Sequence, residues 1–163
     1  MAQNTFEPGE GCLNIIDFSA GPAIGANRST IYSAHYLHER FITEQFSVGA
    51  GIAFGYYDQY SISSVPVYLS AHYFFLDRPF SPFVNLRLGG YFSLTGNQIP
   101  ISLYFAPSAG LKMHFSPHFG IMASIGDHAQ LIRVFDSSQV KYDRRLIHNL
   151  AISIGVCFQI TGW

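Results

Sequence analysis

From Asn149 to Thr161 apolar residues recur at every second position, with Ile152, Ile154, Val156, Phe158 and Ile160 on one face and Ser153, Gly155, Cys157, Gln159 and Thr161 on the other. A period of two belongs to a β-strand. Gln45 to Tyr57 repeats the pattern: Phe46, Val48, Ala50, Ile52, Phe54 and Tyr56 oppose Ser47, Gly49, Gly51, Ala53 and Gly55. Glycines at that density would badly destabilise a helix. Ile101 to Phe115 alternates in the same way, with Pro107 the one exception on its apolar side.

Turn-forming residues cut the chain at Gly21-Pro22, Glu39-Arg40, Asp58 to Ser64, Asp77-Arg78-Pro79, Thr95-Gly96-Asn97, Ser116-Pro117 and Asp136 to Arg145. These breaks predict eight strands, near 11–21, 28–39, 44–58, 64–76, 81–94, 100–115, 118–133 and 146–160. The connections after the second, fourth and sixth strands read as tight and the others as longer, the last being the longest and most charged. Such alternation predicts an all-β, eight-stranded, antiparallel up-and-down barrel whose two ends face different compartments.

Composition narrows the class. The 163 residues suit one domain, and a hydrophobic fraction of 48% with 12% charged residues excludes a disordered chain. A net charge of -1 with scattered basic residues offers no field for a polyanion, so nucleic acid is not an expected partner. Apolar runs such as Tyr73 to Leu76 are far too short for a membrane-crossing helix, which needs about 20 residues. Two cysteines without a C-x-x-C motif predict neither a disulfide scaffold nor a metal site. The stretch Met1 to Pro8 lacks the basic and apolar regions of a secretory signal. Residues 1–10 are expected to form an N-terminal extension and 11–163 the barrel.

Which face is buried separates two kinds of barrel. A soluble, ligand-binding barrel of lipocalin type hides its apolar face and shows charged residues to water. Here the second face is Gly, Ser, Ala and Tyr, which suits the crowded lumen of an eight-stranded barrel and leaves Ile, Val, Leu and Phe for lipid. Aromatics near the strand ends predict two interfacial girdles, with Tyr56, Tyr57, Tyr91, Phe92, Tyr104 and Phe105 at the long-loop end. Phe46, Phe75, Phe83, Phe115, Phe119 and Phe158 fall at the other.

Ser47-Val48-Gly49-Ala50-Gly51, Val65-Pro66-Val67, Phe80-Ser81-Pro82-Phe83-Val84 and Ala106-Pro107-Ser108-Ala109-Gly110-Leu111, in this order and spacing, resemble the small outer-membrane β-barrels of the Bacteroidetes, relatives of the OmpA and OmpX type. The resemblance runs from Gly11 onward. It implies a bacterial outer-membrane location, both termini in the periplasm, contact with outer-membrane lipid and lipopolysaccharide, delivery by the barrel assembly machinery, and no enzymatic activity or cofactor. It also implies a C-terminal assembly signal. Phe158 has the required parity, whereas Trp163 lies on the polar-face parity.

Mid-strand charges are the most informative polar residues, because Arg or Lys facing lipid at the midplane costs about 2–4 kcal/mol. Asp17, Arg87 and Lys112 are therefore expected in the lumen as a charge network, with Asn85 and His114 nearby in parity and Asp17 as the counter-charge. A proton or solute path is the functional alternative to simple lumen filling. His35 and His38, three apart, fall on opposite faces and form no ligand pair; His72, His114 and His128 point towards the lumen without metal-ligand spacing. A lipid-modifying outer-membrane enzyme, of lipid A deacylase or acyltransferase type, is the runner-up reading. Asp136-Ser137-Ser138 would supply a serine and an acid, and His148 a base. The last loop, with Arg133, Lys141, Arg144 and Arg145, is a candidate grip for lipopolysaccharide phosphates or a protein partner, or else a solvated loop.

Overall fold

A computed structural model of the chain describes residues 11–24, 29–59, 61–94, 102–136 and 141–160. Its strands are β1 (Cys12–Ile24), β2 (Thr30–Thr43), β3 (Phe46–Tyr57), β4 (Ile62–Phe74), β5 (Phe80–Ser93), β6 (Ser102–Ser116), β7 (Phe119–Asp136) and β8 (Lys141–Ile160). Each pairs antiparallel with its sequence neighbour, and β8 returns to β1 to close the barrel. Closure pairs the strand edges that in hydrocarbon would otherwise be left without partners.

The alternation read from the sequence persists around the ring. Ile16, Phe18, Ile52, Phe54, Leu69, Leu86, Leu111, Ile125, Ile152 and Ile154 point outward, while Ser47, Gly51, Ala53, Ser70, Asn85 and Ser153 point inward. Phe18 is 65% exposed, Leu69 70% and Ile154 65%. An apolar exterior of this extent is unsustainable in water, where exposed patches stay within a few hundred Å². The surrounding medium is hydrocarbon, and the fold is that of a transmembrane barrel rather than of a soluble one.

Several boundaries differ from the sequence expectation. Glu39-Arg40 is not a turn: β2 continues to Thr43, and the chain reverses at Glu44-Gln45. Asp136 to Arg145 is not an open loop, because β7 and β8 stay paired as far as Asp136↔Lys141. The expected alternation of short and long connections is also uneven: 75–79 between β4 and β5 is longer than 58–61 between β3 and β4. Among the described residues, the added reach at the far end comes from the extended β7–β8 hairpin.

The aromatic girdles are thinner than expected. Tyr56, Phe92, Phe105, Phe75, Phe115 and Phe158 face outward, but Tyr57, Tyr91, Tyr104 and Phe83 are buried in the lumen. Adjacent residues of a strand cannot share a face, so Tyr56-Tyr57 and Tyr91-Phe92 each give one ring to the exterior and one to the interior.

Candidate functional site

The lumen is filled in layers. Near the β1–β2 connection Tyr57, Tyr91 and Tyr104 are all but inaccessible. Below them Arg87 on β5 reaches across the barrel, and its Nη2 donates to Asp17 Oδ2 on β1 at 2.7 Å. The same guanidinium donates from Nε to Asn85 Oδ1 at 3.0 Å and lies 5.7 Å from the Tyr68 ring centre. Asn85 in turn donates through Nδ2 to Ser70 Oγ (2.8 Å) and to the Ala71 carbonyl (3.0 Å).

A second buried pair lies lower. Glu39 on β2 accepts from His72 Nδ1 on β4 at 2.8 Å and from Ser47 Oγ on β3 at 2.6 Å. With its Nδ1 proton donated to the carboxylate, His72 has nothing to accept the Asn85 amide there, and the 3.1 Å approach of Asn85 Nδ2 is packing rather than a hydrogen bond. The two pairs pack against each other at Asn85, so that a polar column from Asp17 to Ser47 draws on β1, β5, β4, β2 and β3. His35 adds a branch. Its two ring nitrogens bond Tyr68 Oη and Ser33 Oγ, each at 2.9 Å, and Ser33 bonds Ser19 at 2.6 Å.

Lys112 is inward, as its parity requires, but does not join Asp17. Its ammonium sits 3.8 Å from the centre of the Phe74 ring and 5.9 Å from that of Phe41, a cation held by aromatic faces near the β2–β3 end. His114 is also inward, its Nδ1 directed at the Ser116 carbonyl at 3.4 Å. Glu39 and His72 form the pair that the sequence reading missed.

Around the Asp17–Arg87 pair little space remains. The cavity lined by Asp17, His72, Arg87, Ser124 and Ser153 has a volume of about 10 Å³, room for one water at Asp17 Oδ1, which has no other partner. Among the described residues no group of three or more metal-ligating side chains comes together.

On the exterior two polar features interrupt the apolar wall. Near the β7–β8 hairpin His148 Nδ1 lies 2.6 Å from Asp127 Oδ2, and both side chains are partly exposed. Near the opposite end Asn14, His38 and Arg40 face outward from β1 and β2. The basic residues of the expected last loop lie on paired strands, with Arg133 opposite Arg144, Ile132 opposite Arg145 and Asp136 opposite Lys141. Ser137 and Ser138 fall outside the described residues, as do residues 1–10 and Trp163. Phe158 is on the outer face of β8, with its ring centre 5.4 Å from that of Phe119.

No family model and no curated protein sequence matches the chain. Solved structures do. The outer-membrane enzyme PagL is 12% identical with a TM-score of 0.63, over 86% of this chain and 97% of that one. Neisserial surface protein A is 15% identical with a TM-score of 0.62, over 93% and 98%. The outer-membrane protein OprG from Pseudomonas aeruginosa is 10% identical with a TM-score of 0.59, over 96% and 99%. Identities this low speak for architecture alone, and the architecture they share with this chain is the small, closed β-barrel of bacterial outer-membrane proteins.

Proposed function

We propose that this protein resides in a bacterial outer membrane as a structural or interaction barrel with no wide pore. The observation that carries the reading is the filled lumen: among the described residues, three tyrosines, two ion pairs and a floor of Leu13, Ile15, Leu37 and Phe74 occupy it, and the cavity beside Asp17 and Arg87 is water-sized. The protein's contacts would lie on its outside: with outer-membrane lipid along the wall, and with lipopolysaccharide or a protein at the β7–β8 hairpin, where Arg133, Lys141, Arg144 and Arg145 are concentrated. The Bacteroidetes lineage rests on the four sequence segments named above, and the roles of Phe158 and the barrel assembly machinery rest on that resemblance. Conductance across planar bilayers tests the reading. The folded barrel should give no steady open channel, and a large, stable conductance would overturn it.

A second reading, a lipid-modifying enzyme, is favoured by one contact. His148 and Asp127 form an acid–histidine pair on the outer wall, the arrangement that orients an imidazole as a base. Among the described residues no serine is hydrogen-bonded to His148. Release of fatty acid from labelled lipid A, lost in His148→Ala, would establish this reading; no release from the folded wild type would remove it.

A further inference from the structure

Two grooves run along the outer wall. The first, of about 710 Å³, has a floor of Ala20 and Ala34 between Phe18, Tyr32, Phe54, Tyr56, Ile152 and Ile154, and carries no charge. The second, of about 680 Å³, has a floor of Ala50 and Ala71 between Val48, Leu69, Leu86 and Leu88, and it ends at His38 and Arg40. A cation therefore closes one of two otherwise similar apolar troughs.

Arg40 is an anomaly on this face. It is exposed and sits one outward position above Ile42, which abuts the β2–β3 turn. At the usual strand tilt that is about 10 Å from the turn, inside the hydrocarbon edge yet within reach of the headgroup layer for a long side chain. No carboxylate among the described residues forms an ion pair with it. The neighbouring polar groups are occupied with one another: Asn14 Oδ1 accepts from Tyr36 Oη at 3.1 Å and from His38 Nδ1 at 2.8 Å, which fixes the imidazole as one wall of the groove.

We propose that this groove is a binding site for an anionic phospholipid, its phosphate on the Arg40 guanidinium and one acyl chain over Ala50 and Ala71. The inference rests on the transmembrane reading above, with the termini and the β2–β3 turn on the periplasmic side, so that the groove opens to the inner leaflet. The planar guanidinium presents paired donors to a phosphate, and the low dielectric at that depth strengthens the contact. Small residues on the floor, beside the taller Leu69, Leu86 and Leu88, make a trough rather than a flat wall. A second copy of the chain is the poorer occupant. Among the described residues, the outward strand positions in this half of the barrel include no acid to meet Arg40.

The test uses the full chain refolded into phosphatidylcholine vesicles, with spin-labelled phosphatidylglycerol or phosphatidylcholine as the probe. Motionally restricted phosphatidylglycerol should exceed phosphatidylcholine about five-fold, the effect expected of one basic residue at a membrane surface. Arg40→Gln should abolish the preference, and Ala50→Phe, which fills the groove but keeps the charge, should reduce it. Arg78→Gln, which removes a charge from the β4–β5 turn at the same end, should leave it unchanged. Insertion is scored separately by heat-modifiable migration on SDS gels. An inserted wild type without the preference, an Arg40→Gln barrel that keeps it, or a crosslinked dimer across His38 would overturn the site and leave the membrane reading standing; failure of the wild type to insert overturns both.

Discussion

Asp17 and Arg87 are 70 residues apart in sequence and four strands apart around the ring, yet their side chains meet at 2.7 Å across the lumen. The contact ties opposite walls that the β-ladder connects only the long way round. Removing one partner leaves a buried charge uncompensated, at a cost of about 3–5 kcal/mol, whereas removing both takes away the desolvation penalty with the attraction. Asp17→Ala should therefore destabilise the barrel more than Asp17→Ala combined with Arg87→Met. Urea unfolding in vesicles gives the comparison, and additive losses would contradict the coupling.

Depth along β8 gives a second expectation. Ile154 and Ile160 both face outward, Ile154 opposite Phe18 at the middle of β1 and Ile160 at the end of β8. Ile154→Arg should cost about 2–4 kcal/mol and Ile160→Arg no more than about 1 kcal/mol, because a charge at the interface stays hydrated. Equal costs would mean that the wall does not face a bilayer.

The same physics explains what the chain disclosed. β3 and β8 were legible because their alternation is nearly unbroken, and Asp17 and Arg87 because a mid-strand charge has only the lumen to enter. Glu39 escaped because an acid followed by Arg40 reads as a solvated turn. In a barrel with a polar interior, adjacent charges can instead mark one residue facing each way. Its pairing with His72 depended further on the register of β2, β3 and β4, which alternation alone does not fix. The β7–β8 hairpin was read as a loop for a related reason, since charged strands that extend beyond the membrane lose their apolar face.

Close strand packing makes two glycines behave differently. A Cβ on Gly49 would run into the carbonyl oxygen of His38 and lie 2.5 Å from Glu39 Cα, both backbone atoms that cannot turn aside. At Gly55 the nearest atom is Ser64 Oγ at 3.0 Å, with nothing else closer than 3.9 Å. Gly49→Ala should destabilise by about 1–3 kcal/mol through overpacking, while Gly55→Ala should stay within about 1 kcal/mol of wild type. Unfolding midpoints in matched lipid decide between them, and equal behaviour would argue against the β2–β3 register.

Closure between the first and last strands can be locked chemically. Cys157 on β8 lies opposite Ile15 on β1, and both side chains are buried in the lumen. Cys12 lies opposite Ile160, three residues along the strand from that position, or about 10 Å. Both native cysteines are free thiols, as that offset demands, because a disulfide needs Cα atoms within about 7 Å. Directly opposed antiparallel residues have Cα separations of about 4.5–5.5 Å, inside that window. Mild oxidation should therefore leave both thiols of the folded wild type titratable, whereas Ile15→Cys in a Cys12→Ser background should lose both of its own. The oxidised variant should also migrate abnormally after boiling until it is reduced, since nearly the whole chain would then be circular. Persistent free thiols in a folded Ile15→Cys barrel would show that β1 and β8 do not close in this register.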